Sequence, residues 1–213
     1  MRGFCRTLGR LLEHPAAPAI AVIPFCLLTL AGFYLLLRFD GTPAKQHYAP
    51  SLWPESAGLA FPSGKPALLV FLHPMCPCSR ATLDELNGVL ARVPKTARPE
   101  IHLLFVRSIR NPDWNGGDLW ERARGIPNAF RHWDEGGRIA VRFGARTSGA
   151  TLLYGVNKNL LFQGGITASR GHEGDNLGAE RLLTALETGR RAVNLSQLFG
   201  CALAIDHPQE AGR

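Results

Sequence analysis

Two cysteines separated by one proline, Cys76-Pro77-Cys78, form the local thiol pair of this sequence, and His73 and Met75 stand just ahead of them. A cysteine at the start of a helix meets the positive end of the helix dipole and unpaired backbone N–H groups. Both favour thiolate over thiol and make the sulfur a better nucleophile near neutral pH. A second thiol two residues on can bring the α-carbons near the usual disulfide range of about 4.4–6.8 Å, but the ring closed is small and strained. A strained disulfide is labile, which suits a donor of oxidising equivalents or an isomerase better than a structural staple. The spacing therefore predicts Cys76 as nucleophile and Cys78 as resolving thiol. The same loop suits a second chemistry, because His73, Met75, Cys76 and Cys78 make a compact set of soft ligands for Cu(I). A third reading is a vestigial site in a domain that serves as a structural partner. Zinc is disfavoured, since no second Cys/His pair has suitable spacing.

The other chemistry-bearing residues are accessory candidates. His73 and Arg80 flank the cysteines, and the polar, glycine-rich stretch SRGHEGDN at 169–176 carries Arg170 and His172. Such a loop before a closing helix can approach a site, with His172 as acid or base; its alternative role is a turn in which Asp175 or Asn176 caps the helix. Five cysteines, at 5, 26, 76, 78 and 201, are too few and too unevenly placed for a disulfide framework. Cys5 and Cys26 read as passive; Cys201 reads as a buried small hydrophobe, its alternative role being a resolving thiol.

These residues must be positioned by elements that the pattern also shows. ALLVFL at 67–72 is a continuous apolar run of strand length, and Leu83, Leu86, Leu90 and Val93 then repeat at helical spacing. IHLLFV at 101–106 is a second apolar strand, which completes a βαβ unit. The cysteines lie between the first strand and its helix, where reactive groups collect in open α/β sheets. Residues 118–143 read as helical with breaks at Gly125-Ile126-Pro127 and Gly136-Gly137. Strands at 151–154 and 160–163 flank Asn157-Lys158-Asn159, a hairpin turn because Asn tolerates left-handed backbone angles. A last helix carries Leu182, Leu183 and Leu186 and stops at Gly189. The order is β-α-β-α-β-β-α. Trp53, Trp114, Trp120 and Trp133 read as packing residues.

Ahead of this domain, residues 16–37 run for 22 residues without a charge, long enough for a transmembrane helix across about 30 Å of hydrocarbon. The segment is longer than a signal-peptide core and ends in Leu37-Arg38-Phe39-Asp40, which favours retention over cleavage. Arg2, Arg6 and Arg10 precede it, so the positive-inside rule puts 1–15 in the cytoplasm and the domain outside, in the periplasm of a Gram-negative cell. Proline-rich residues 38–64 read as a linker and lead-in, 65–205 as the domain and 206–213 as a tail. The formal charge of +7 is scattered rather than clustered, which argues against nucleic acid as a partner. Partners are instead the membrane and a protein thiol or disulfide, with a redox-active disulfide in place of a bound cofactor.

The segments LHPMCPCSRA (72–81) and ITASRGHEGDN (166–176) resemble the RedB-type group of membrane-anchored thioredoxin-like proteins, and residues 60–190 are similar to TlpA-like periplasmic thioredoxins. The resemblance implies a thioredoxin-like α/β fold, a central mixed sheet flanked by helices, and thiol–disulfide exchange carried by Cys76 and Cys78. Two features depart from the thioredoxin pattern. Its usual spacing is Cys-x-x-Cys, and Met75 falls where the attacking cysteine belongs. The place of the cis-proline before the third strand is taken by Thr147-Ser148-Gly149-Ala150.

Overall fold

The computed structural model describes residues 17–45, 47–110, 113, 117–192, 195–203 and 205–206. The chain divides into two units, Met1–Asp40 and Gly41–Arg213. The first holds helix α1, Ala17–Asp40, of 24 residues with Pro24 inside it. Its Val22–Asp40 stretch buries nothing, and at 1.5 Å per residue the whole helix reaches about 36 Å. By length and composition α1 suits either a membrane anchor or a signal sequence. The 1–15 segment on which the orientation rests, with Arg2, Cys5, Arg6 and Arg10, lies outside the described residues.

In the second unit five strands are laid in the order β3-β2-β1-β4-β5. Strand β1 (Ala67–Leu72) pairs parallel with β2 (Glu100–Arg107), with Leu72 opposite Phe105, and antiparallel with β4 (Ala150–Tyr154). Strand β5 (Leu160–Gly164) pairs antiparallel with β4, and β3 (Ala129–Glu135) pairs parallel with β2. Helices α2 (Pro77–Arg92), α3 (Leu119–Arg122), α4 (Arg138–Arg142) and α5 (Leu177–Thr188) complete the mixed, helix-flanked sheet of a thioredoxin-like fold.

All six residues of β1 are buried, because successive side chains point to opposite faces and both faces are covered. Leu68, Val70 and Leu72 join Leu83, Leu86 and Leu90 of α2 and Leu182, Leu183 and Leu186 of α5 in one core. Ala67, Leu69 and Phe71 face the other core with Trp53, Phe143 and Tyr154. Each large side chain removed from water contributes about 1.5–3 kcal/mol, so the strand that leads into the cysteines is firmly held between two cores. The segment read as a linker supplies part of this second core. Trp53 is 7% exposed, meets Phe61, Phe143 and Tyr154 edge-on, and donates its backbone N–H to Lys158 O at 2.8 Å.

Two expectations from the sequence are corrected. Residues 118–143 are mostly not helical, because β3 and two short helices occupy that stretch. β3 is an edge strand whose sequence AFRHWDE is largely half-exposed, so it has no continuous apolar run, and its pairing with β2 overrides the local pattern. Its turn uses Gly136 and Gly137 at φ 63° and 71°, and buried Asp134 accepts from Ile139 N (2.9 Å) and Ala140 N (2.8 Å) to cap α4. In the β4–β5 hairpin the residue with positive φ is Lys158 (63°), not an asparagine. Trp120 and Trp133 stack at 4.3 Å under Arg131 and Arg107; Trp114 lies outside the described residues.

Candidate functional site

The turn after β1 is tied to the helix it starts. His73 N donates to Ser79 Oγ (2.9 Å), Met75 N donates to His73 Nδ1 (3.3 Å), and Cys76 N donates to His73 O (3.2 Å). Cys76 is the extended N-cap residue of α2, and its carbonyl accepts from Ser79 N and Arg80 N. Pro77 follows at the first helical position, where its missing N–H costs nothing and its fixed φ suits the helix. The sequence therefore puts one cysteine at the cap and the next inside the first turn.

A third sulfur joins them. Residues 195–203 form a strap after α5: Ser196 N donates to Gln163 O (3.2 Å), Ser148 N to Cys201 O (2.8 Å), Cys201 N to Ser148 Oγ (3.0 Å) and Leu203 N to Arg146 O (2.9 Å). A Cβ on Gly200 would overlap the Ser148 carbonyl oxygen, so only glycine permits this approach. The strap brings the Sγ atoms of Cys76, Cys78 and Cys201 within 4.8 Å of one another. Cys76 and Cys78 are buried, each 4% exposed, whereas Cys201 is exposed. The reading of Cys201 as a buried apolar filler is thus corrected: it neighbours Ser148 through backbone pairing of a segment without regular structure, which local sequence does not announce.

The three thiols are not equivalent. Cys76 is lowered from 9.0 to about 4, first by the Cys78 thiol donating to it, then by Ser148 and the Ser79 backbone N–H, against the opposing effect of burial. Ser148 Oγ lies 3.3 Å from Cys76 Sγ. Because that hydroxyl accepts from Cys201 N, its proton is free to point at the sulfur. Cys78 is pushed up by its bond to Cys76 and by burial, and Cys201 is raised by burial and then by the Cys76 charge. These directions place the negative charge on Cys76, beside the Ser148 hydroxyl, and disfavour it on Cys78 and Cys201.

The accessory candidates fall in several places. His73 is half-buried, and desolvation lowers it, partly offset by Cys76. Its Nδ1 accepts from Met75 N, so the neutral ring carries its proton on Nε2. Arg80 pairs with Asp118 at 2.6 Å on the wall of an open cleft of about 260 Å³, which also takes in Pro74, Met75, Cys76, Gly117 and Leu119. Arg170 donates to Gly200 O beside Cys201, and the Gly171 backbone N–H acts on Cys78 in the direction of the thiolate, against the larger effects that raise it. The 169–174 loop therefore does border the site. His172 is exposed on its turn and is not among the converging donors. Asn176 caps α5, with Oδ1 accepting from Ala179 N at 2.8 Å.

For a soft metal, the donors that converge among the described residues are Cys76, Cys78 and Cys201. That convergence is among His, Cys, Asp and Glu side chains; of the other two residues read from the sequence, Met75 is 56% exposed and His73 accepts from Met75 N through Nδ1. Sequence reasoning missed Ser148 as a site residue and named Cys201 only as an alternative resolving thiol. The signal for Ser148 was its place in the stretch that replaces the cis-proline of thioredoxins.

No protein-family model matches the chain, and comparison with curated proteins gives no relative. Among solved structures, the chain is similar to a hypothetical protein from Sinorhizobium meliloti at 16% identity, over 79% of this chain and 96% of that one, with a TM-score of 0.53. An uncharacterised conserved protein from Geobacillus kaustophilus follows at 18% identity, over 80% and 93%, with a TM-score of 0.49. A secreted Mycobacterium tuberculosis disulfide oxidoreductase matches at 18% identity, over 59% and 82%, with a TM-score of 0.37. The likeness to the Sinorhizobium protein is one of fold.

Proposed function

We propose that the chain is a membrane-anchored thiol–disulfide oxidoreductase whose domain works outside the cytoplasm, with Cys76 as its nucleophile. The observation that carries this reading is the Cys76 sulfur, lowered to about 4 at the cap of α2, with two further thiols within 4.8 Å. The Cys76 thiolate attacks a disulfide of a partner protein, forming a mixed disulfide and releasing one partner thiolate. A neighbouring thiol then gives up its proton and attacks Cys76 Sγ, closing an intramolecular disulfide and releasing the second partner thiol. The reverse sequence oxidises a partner dithiol. A strongly stabilised thiolate favours the reduced enzyme, so oxidation of the partner is the downhill direction. The RedB-type segments around 72–81 and 166–176 support this assignment, and the arginines at 2, 6 and 10 support an inside N-terminus.

Convergence of three sulfurs favours one other reading, Cu(I) binding by the reduced domain, since thiolates select soft cations. One experiment separates the two. Oxidised full-length protein in detergent micelles is mixed with a reduced two-cysteine peptide, and peptide disulfide is measured. Formation of the peptide disulfide, lost in Cys76→Ser, is the expected result. Absence of exchange in the wild type, with Cu(I) retained through dialysis, transfers the site to metal binding.

A further inference from the structure

Resting on the oxidoreductase reading, we propose that Cys201, carried on the strap at 195–203, is the resolving thiol, so that the disulfide formed in turnover is Cys76–Cys201 and Cys78 remains a thiol throughout.

The three sulfurs are close enough for either pairing, so proximity does not choose between them. The surroundings do. Cys78 lies within the first turn of α2, directly after Pro77, whose ring fixes φ, and it is 4% exposed. Joining it to Cys76 closes a small, strained ring across a cap residue and a first-turn residue, where the Cβ vectors are set by the helix start. Its present work is different: its sulfur lies within 4.8 Å of Cys76 Sγ and favours the charged form of that thiol.

Cys201 has the complementary properties. It is exposed, it lies outside helix and sheet, and both its backbone groups are held at one residue, Ser148, whose hydroxyl also meets Cys76. The side chain can therefore swing toward Cys76 without unwinding an element. Arg170, anchored to Gly200 O, places a positive charge where a Cys201 thiolate forms during attack. A partner's sulfur also has to reach Cys76 from the solvent side, and Cys201 is the exposed member of the cluster.

The step balances without a further reactant. A partner disulfide is the oxidant in the first exchange. In the second, the Cys201 proton passes to the departing partner sulfur, the Cys76–partner S–S bond breaks, and the Cys76–Cys201 bond forms. Two electrons leave three thiols, so one thiol, Cys78, persists. Oxidation ties the strap covalently to α2, and reduction returns it to backbone hydrogen bonds alone.

The test uses the full chain in detergent micelles and glutathione disulfide as oxidant, with acid quench, alkylation of free thiols, proteolysis and mass mapping of the disulfide. Wild type and Cys78→Ser should both yield a Cys76–Cys201 linkage, with Cys78 alkylated in the wild type. Cys201→Ser should accumulate the Cys76–glutathione adduct and clear it about tenfold or more slowly, because the intramolecular thiol is gone. A Cys76–Cys78 linkage in the wild type, formed at an unchanged rate in Cys201→Ser, overturns the proposal and leaves the oxidoreductase reading standing. Absence of both an adduct and a linkage at Cys76 in the wild type removes the oxidoreductase reading as well. The wild-type map decides between pairings even if a variant fails to fold.

Discussion

Replacing Ser148 with alanine tests whether the Cys76 thiolate is held by hydrogen bonds rather than by its helix position alone. The hydroxyl contacts Cys76 Sγ at 3.3 Å while accepting from Cys201 N at 3.0 Å, so it is one donor to the thiolate and one acceptor for the strap. A hydrogen bond to a charged group contributes about 1.5–3 kcal/mol, and about 1.36 kcal/mol corresponds to one pH unit of midpoint. Ser148→Ala should therefore move the Cys76 titration upward by about 1–2 pH units from its value near 4. At neutral pH the sulfur stays ionised, so the exchange rate there is a poor readout and the pH profile is the sensitive one. The assay is thiolate ultraviolet absorbance against pH, with Cys76→Ser as the blank. The same variant strands Cys201 N and should expose the strap to faster amide exchange. A midpoint that does not move in Ser148→Ala, in a variant that still folds, refutes the assignment of Ser148 as a donor to the thiolate.

Two further outcomes follow from groups away from the sulfurs. Asp134→Ala removes the acceptor for Ile139 N and Ala140 N at the start of α4, and with two amides left unpaired in a buried site the loss should be about 1–3 kcal/mol, read from the urea unfolding midpoint. His102 is lowered by burial and then by His132, and His132 by burial. The folded pKa values lie below the unfolded value of about 6.5, so as pH falls through that value the unfolded chain takes up protons the fold refuses and stability is lost. Cys76 adds a slope of the same sign between 9.0 and about 4, present above that window and lost as pH falls. A His102→Gln variant should therefore keep the Cys76 slope and lose the steeper fall just below pH of about 6.5 in thermal melts; an unchanged profile would show that the imidazole pair does not govern acid stability.

The parts of this molecule that could be read from sequence are those where local pattern and tertiary role coincide. β1 and β2 are apolar throughout because both faces are covered, and α2 shows its buried stripe at Leu83, Leu86 and Leu90, so the strand-to-helix junction that carries Cys76 and Cys78 was evident. β3 was not, because an edge strand paired on one side needs no apolar run and can carry Arg131, Asp134 and Glu135. The thiol partners of Cys76 divide in the same way. Cys78 is adjacent in sequence, whereas Cys201 is brought in by backbone bonds of an irregular strap to Arg146 and Ser148, which leave no periodic trace. The turn at Lys158 differed because β-hairpin geometry imposed the positive φ on whichever residue occupied that position.

The strap also sets an order of events in the life of each molecule. Cys201 follows Cys78 by 123 residues, and at about 5–20 residues per second of synthesis the nascent chain holds Cys76 and Cys78 for about 6–25 s before Cys201 exists. During that interval the Cys76–Cys78 pair lacks the strap that carries Cys201 and is bonded to Ser148, so the hydrogen bonds that hold the thiolate are incomplete and the nucleophile is muted. Full reactivity arrives only when the strap docks, which delays the exchange chemistry until the sheet that frames it has closed.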